Sequence, residues 1–211
     1  MPKIEPQEDG PLLVKGETTI RDASGAELPS KAVVALCRCG ASKSKPHCDG
    51  SHVTDGFRTA GDGPELRTNA IGYSGTADGV DVTVSYTPVL CSHAAECQRA
   101  SAAIFDPERK PWVDVSEGGI AEVLTAVGKC PSGALSVKVG SLAKPMHLTD
   151  GNIDIAIEKN GPYRVRNIPI ETDVSNYGSS PSKFVLCRCG MSKNKPFCDG
   201  THYDKKWQDD V

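Results

Sequence analysis

No apolar run of the roughly 18 residues needed to span a bilayer occurs in this chain of 211 residues, so no membrane-spanning helix is expected. The opening MPKIEPQEDG is polar and acidic. It lacks the basic start and apolar core of a secretory signal, which predicts a cytoplasmic protein. Charge of one sign is also lacking: 24 Lys and Arg stand against 27 Asp and Glu. That balance gives no electrostatic argument for nucleic acid or a membrane surface as partner. The glycines, Ser132-Gly133 among them, match no phosphate-loop or dinucleotide fingerprint, and no nucleophile–base constellation stands out. A protein that is not an enzyme is therefore expected.

What the chain does have is nine cysteines, an odd number with no export signal, which favours metal ligation in a reducing compartment over disulfides. They fall in three groups of three: Cys37, Cys39, Cys48; Cys91, Cys97, Cys130; Cys187, Cys189, Cys198. The outer groups belong to a repeat. CRCGASKSKPHCDGSH and CRCGMSKNKPFCDGTH share 12 of 16 residues at an offset of 150. GPLLVKG from Gly10 and GPYRVRN from Gly161 extend the similarity upstream, as do VVAL and FVL before the first cysteine of each window. Repeats come before any other reading of organisation, and this one sets the boundaries at 8–58, 68–142 and 150–208.

Each repeat reads as β-rich, with alternating segments at Leu13 to Ile20 and Tyr163 to Ile170. Units this small bury little, so they should lean on metal and on each other. The loop-like Thr54 to Leu66 marks the first boundary. Between the repeats, strands are expected at Asp81 to Tyr86, Pro111 to Val115 and Ala134 to Val139. Helices are expected at His93 to Ser101 and through Ile120, Val123, Leu124 and Val127. The reading is strand, helix, strand, strand, helix, strand, a ferredoxin-like α+β order.

Each repeated window supplies three thiols and an imidazole in two pairs, Cys37 with Cys39 and Cys48 with His52, then Cys187 with Cys189 and Cys198 with His202. An iron in a [2Fe-2S] rhomb needs two protein ligands beyond its bridging sulfides, so two pairs serve one cluster. Asp49, and Asp199 after it, is placed to cap a helix that aims the histidine. Three thiolates and one imidazole also suit tetrahedral zinc, which leaves a structural zinc or protein-interaction module as the alternative. The C-x-C spacing argues against zinc, whose cysteines usually stand two to four residues apart.

The pattern C-x-C-x2-S/T-x3-P-x-C-D-G-S/T-H, complete in both windows down to Ser42, Pro46, Ser192 and Pro196, resembles the signature of the CDGSH iron–sulfur family (mitoNEET-like). The resemblance covers about 90 residues and departs from mitoNEET-like members in lacking a membrane anchor. It implies a [2Fe-2S] cluster in each repeat, held by three cysteines and one histidine near solvent. It also implies an intramolecular pseudo-dimer of the two repeats within a monomer. Two ferric ions, two sulfides and three thiolates sum to −1. Replacing a thiolate by imidazole raises the potential, while the Fe–N bond is the one acid attacks. Electron transfer and cluster transfer are both compatible with that chemistry, with a redox protein or an apo cluster acceptor as partner. Arg38, Lys43 and Lys45, matched by Arg188, Lys193 and Lys195, are either charge around the cluster or plainly solvated side chains.

Cys91, Cys97 and Cys130-Pro131 follow a C-x5-C and distant C-P pattern, with Ala94 where a central ligand would fall. CSHAAEC, IFDPERKPWV and KCPSGAL resemble the divergent mono-cluster ferredoxin domain that accompanies CDGSH modules. That implies a third cluster: a [3Fe-4S] on three cysteines, or a [4Fe-4S] completed by His93. The plain alternative is three buried thiols without a cluster. His47, facing Phe197 in the other copy, and His147, without acidic or thiol neighbours in sequence, are read as non-ligands. Trp112 and Trp207 are packing anchors or partner contacts.

Overall fold

The computed structural model describes residues 1–29, 31–60, 68–142, 144–172, 180 and 182–209. In the first repeat, β1 (Lys3–Pro6), β2 (Leu12–Lys15) and β4 (Val33–Leu36) form an antiparallel sheet in the order β1-β2-β4. Residues alternate inward and outward along a strand, and here Leu12 and Val14 are fully buried while Leu13 and Lys15 are not. The sheet begins upstream of residue 8, because β1 completes it. In the second repeat β8 (Asp154–Ile157), β9 (Tyr163–Arg166) and β10 (Lys183–Leu186) pair the same way.

Each repeat then reaches into the other. The alternating run Leu13 to Ile20 is not one strand. It breaks at Gly16, whose φ of 86° turns the chain away, and resumes as β3 (Thr19–Arg21). This strand pairs in parallel with β8, giving the mixed sheet β10-β9-β8-β3. The reciprocal contact is a parallel bridge of Ile170 to Ile4, with Ile4 N–H donating to Pro169 O at 2.9 Å and Glu171 N–H to Ile4 O at 2.7 Å. Backbone pairing across the repeats makes them a strand-exchanged pseudo-dimer within one chain.

The middle domain is a meander, β5 (Ile71–Ala77), β6 (Val80–Tyr86) and β7 (Leu135–Val139), ordered β5-β6-β7 and antiparallel throughout. With one-turn α1 (Ser51–Thr54) in the first repeat, the middle helices are α2 (Glu96–Ala100) and α3 (Ile120–Lys129), both between β6 and β7. The element order is thus strand, strand, helix, helix, strand, unlike the alternation expected. Strand β5 hides behind Gly72 and Gly75, which read as turn residues. Pro111 to Val115 is no strand, since Val113 makes only an isolated bridge to Phe105. Trp112 there is a packing anchor, with its ring 5.0 Å from Tyr86 and 6.0 Å from Tyr73, both edge-on. Helix α3 lays Val123, Ala126 and Val127 on the sheet, and Asp78 Oδ2 accepts from Ile120 N–H at 2.8 Å to close its first turn.

One apolar cluster runs through all three parts, from Ile4 and Leu12 through Ile155 and Tyr163 to Val84 and Phe105. A last single turn, α4 (Thr201–Asp204), mirrors α1. Of the loop expected from Thr54 to Leu66, residues 61–67 lie outside the described residues. Among the described residues no helix is long and apolar enough to cross a membrane.

Candidate metal centres

The two ligand pairs of each window form by the same local devices. Cys37 leaves the end of β4, and its N–H donates to Pro46 O at 2.8 Å, as Cys187 N–H donates to Pro196 O at 2.8 Å. Ser42 Oγ closes the loop by donating to His47 O at 2.6 Å, and Ser192 Oγ does so to Phe197 O at 2.6 Å. The fixed Ser and Pro of the motif therefore shape the loop. The result sets Cys37 Sγ 3.5 Å from Cys39 Sγ, and Cys187 Sγ 3.8 Å from Cys189 Sγ. Hydrogen bonding between neighbouring sulfurs lowers Cys37 to about 6 and Cys187 to about 7, while their partners are raised. One thiolate per pair thus forms readily before any metal arrives.

The second pair sits on the loop entering the helical turn. Cys48 Sγ lies 3.4 Å from His52 Nδ1 and Cys198 Sγ 3.3 Å from His202 Nδ1, so Nδ1 is the nitrogen facing the site. The helix begins one residue later than the sequence suggests, with Gly50 and Gly200 as left-handed caps at φ 90° and 86°. Asp49 still serves the turn: Oδ1 accepts from Ser51 N–H at 3.0 Å and Oδ2 from Lys43 N–H at 2.9 Å. The Ser51 and Lys43 donors hold its carboxyl well below the usual range. At Asp199 burial works the other way, but N–H groups of Lys193 and Thr201 outweigh it and its pKa is also lowered. Backbone N–H groups of Ala41 and Gly50 point at Cys39 and Cys48 Sγ, both at 3.4 Å, with Met191 and Gly200 repeating this on Cys189 and Cys198 at 3.5 and 3.4 Å. Donors of this kind neutralise thiolate charge and raise a cluster's potential.

Arg38 and Arg188 are buried, not solvated. Arg38 Nε donates to Gly10 O at 2.7 Å and its Nη2 to Gln7 O and to Thr59 Oγ1, with the guanidinium 5.3 Å over the Phe57 ring. Arg188 does the same to Gly161 O and Glu158 O, lying 5.2 Å over Trp207. Each arginine clamps its own hairpin beneath its ligand loop. Burial lowers Arg38, and the field of Cys187 from the other repeat opposes that shift. Arg38 Nη1 is buried without a partner among the described residues, a donor suited to an anionic group nearby. The repeats touch at their ligand loops, where a Cβ on Gly40 would come within 2.6 Å of Cys189 O, and one on Gly190 would collide with Cys39 O.

In the middle domain Cys91 follows a turn ending at Leu90, Cys97 lies in the first turn of α2, and Cys130 caps α3 with its N–H on Val127 O at 3.2 Å. Each of the three thus stands at or near the end of a helical element, and among the described residues they form no group that would hold a single ion. Burial pushes Cys97 up to about 11 and raises Cys91, and the Cys130 charge adds to both. The His93 ring lies against Gly200 of the second repeat. Burial and then Lys183 lower His147, whose Nδ1 has no partner. Among the described residues no three His, Cys, Asp or Glu side chains converge on one ion. In each repeat the four side chains instead stand as two close pairs, thiol with thiol and thiol with imidazole.

Two family models match the chain. "Iron-binding zinc finger CDGSH type" matches residues 9–53 and 160–203, over the two strand-exchanged repeats. The chain belongs to the CDGSH iron–sulfur family. "Divergent 4Fe-4S mono-cluster" matches residues 77–140, the domain between its CDGSH modules. Similar proteins include "Uncharacterized protein YjdI" of Escherichia coli K12 and of Escherichia coli O157:H7. Each is 33% identical over 60 residues, which is 28% of this chain and 79% of the relative. No solved structure matches. Two CDGSH modules flanking a divergent cluster domain make this an iron–sulfur-binding protein.

Proposed function

We propose that this CDGSH protein is an electron-transfer or cluster-transfer protein, not an enzyme with its own substrate. It would hold two [2Fe-2S] clusters, on Cys37, Cys39, Cys48 and His52 and on Cys187, Cys189, Cys198 and His202. A third, [3Fe-4S] or [4Fe-4S], would sit on Cys91, Cys97 and Cys130. The observation that carries this reading is the identical pairing in both modules: thiol beside thiol and thiol beside imidazole Nδ1, each within 3.8 Å. A [2Fe-2S] group supplies one reversible electron. The chain's own residues hold it by three thiolates and one imidazole Nδ1, and quench charge through the N–H donors of Ala41, Gly50, Met191 and Gly200. All nine cysteines are free, which agrees with a reducing, cytoplasmic setting. A redox protein or an apo cluster acceptor is the expected partner, met by a monomer.

Anaerobic purification tests this directly. The protein should be red-brown, carry iron and acid-labile sulfide in nearly equal amounts, and bleach on dithionite with a reduced-state EPR signal. A colourless protein with bound zinc and no sulfide would overturn it.

A further inference from the structure

The same ligand loop is bare in one module and covered in the other. Among the described residues a side chain added at Gly50 would meet nothing within 4 Å, whereas one at Gly200 would collide with the His93 ring. Cys198 is only 2% exposed and His202 9%, while Cys48 and His52 are only partly buried. Ser44 is exposed, but Asn194 in its place is buried and donates from Nδ2 to Val89 O at 3.1 Å.

The cover is residues 89–96 of the middle domain. His93 and Ala95 within it adopt φ of 57° and 55°, left-handed backbone that residues with a Cβ seldom take and that tends to mark functional turns. Contacts on the far side hold the cover down. Glu96 Oε1 pairs with Arg164 at 3.3 Å, and Lys183 Nζ, buried, donates to Val127 O at 3.0 Å and Gly128 O at 3.2 Å at the end of α3. The middle cysteines flank this turn, so the covered site faces the middle domain while the bare one faces solvent.

We infer that the two CDGSH sites divide the work: the first is the port where iron and cluster exchange with other molecules, and the second, capped by residues 89–96, is retained and serves the middle domain. Val89, His93 and Asn194 are the positioning residues of the cap. This rests on both modules carrying clusters. At the port, an incoming ligand reaches the Cys48–His52 pair first. With bipyridyl and dithionite as probes, dithionite supplies the electrons, bipyridyl takes the ferrous iron, and the freed thiolates, imidazole and sulfides take up solvent protons.

The experiment uses anaerobic holoprotein, with iron and sulfide counted beforehand, and follows visible bleaching under bipyridyl and dithionite at fixed pH. The expected result is two [2Fe-2S] phases at least tenfold apart, the fast one missing in Cys48→Ser and the slow one missing in Cys198→Ser. Asn194→Ser, alone and with Glu96→Gln, should speed the slow phase severalfold and leave the fast one unchanged. Equal rates, a slow phase that belongs to the first module, or a slow phase indifferent to uncapping in a variant that melts like the parent would each overturn the division. Absence of iron and sulfide in the initial count would instead sink the cluster reading, and this inference with it.

Discussion

The two CDGSH modules use one ligand motif in two different surroundings. Their windows differ at four positions, Ala41 and Met191, Ser44 and Asn194, His47 and Phe197, Ser51 and Thr201. Two of these changes belong to burial of the second module: Asn194 bonds Val89 O, and Phe197 stacks edge-on against Phe184 at 5.8 Å. The identical residues hold the ligands and the loop. A further difference lies under the arginine clamp. In the first module Asp9 Oδ1 accepts from Thr59 N–H at 2.7 Å, and in the second Asn160 Oδ1 accepts from Asp209 N–H at 2.8 Å, so the carboxylate has moved to the other side of the contact. The lesson is that repetition of the motif conserves ligand geometry, while the neighbours decide what each centre is exposed to.

Removing the arginines should separate the modules most. Arg188 forms an ion pair with Asp209 in which both side chains are buried, 3% and 8% exposed. Arg188→Met strands that carboxylate and should cost about 3–5 kcal/mol. An acid whose field reaches Arg38 is Asp9, whose side chain is 36% exposed and pairs with Arg58 instead. Arg38→Met strands no carboxylate and should cost the hydrogen bonds to Gly10 O, Gln7 O and Thr59 Oγ1, about 1–3 kcal/mol. Urea unfolding of the two variants checks the order, and equal losses would remove the distinction.

Tyr163 joins the modules in one direction only. Its hydroxyl donates to Cys37 O at 2.7 Å and reaches Pro46 O at 3.2 Å, so a second-module side chain steadies the first module's ligand loop. Leu12, which faces Leu36 as Tyr163 faces Leu186, has no hydroxyl to return the favour. Tyr163→Phe should cost about 1–2 kcal/mol by leaving buried carbonyls short of a donor. It should also alter the visible spectrum of the first cluster and leave that of the second. A change confined to the second cluster would reverse the argument.

How much of this was legible in sequence divides along the same line. The repeat, the ligand pairs and the third cysteine group could be read because metal chemistry demands particular side chains at particular spacings. Strand exchange could not, since Leu13 to Ile20 reads as one alternating segment and only the turn at Gly16 sends its second half to β8. The order of the middle domain was misread because Gly72 and Gly75 disguise a strand whose partners are seven residues of β6. Arg38 and Arg188 read as charge around the cluster or as solvated side chains, not as buried clamps. Their acceptors are carbonyls about 30 residues away that no local pattern announces. The cap on the second module was beyond reach as well, because it rests on contacts such as His93 with Gly200 that join separate domains.

The smallest expected difference concerns the lysines. Lys195 Nζ lies 5.7 Å from the centre of the Phe57 ring in the other module, and its charge helps lower the Cys187 thiol after the neighbouring sulfur and backbone donors. The Phe57 ring is buried but Lys195 is partly exposed, so the contact should contribute about 0.5–1 kcal/mol. Lys195→Met should cost that much and lower the midpoint potential of the second cluster, because a nearby positive charge favours the more negative reduced state. Lys45, its counterpart, reaches no aromatic ring among the described residues, so Lys45→Met should leave stability within about 0.5 kcal/mol of the parent. Redox titration of both variants decides it. Unshifted potentials in both would strip these lysines of an electrostatic role and leave tuning to the backbone donors and the buried arginines.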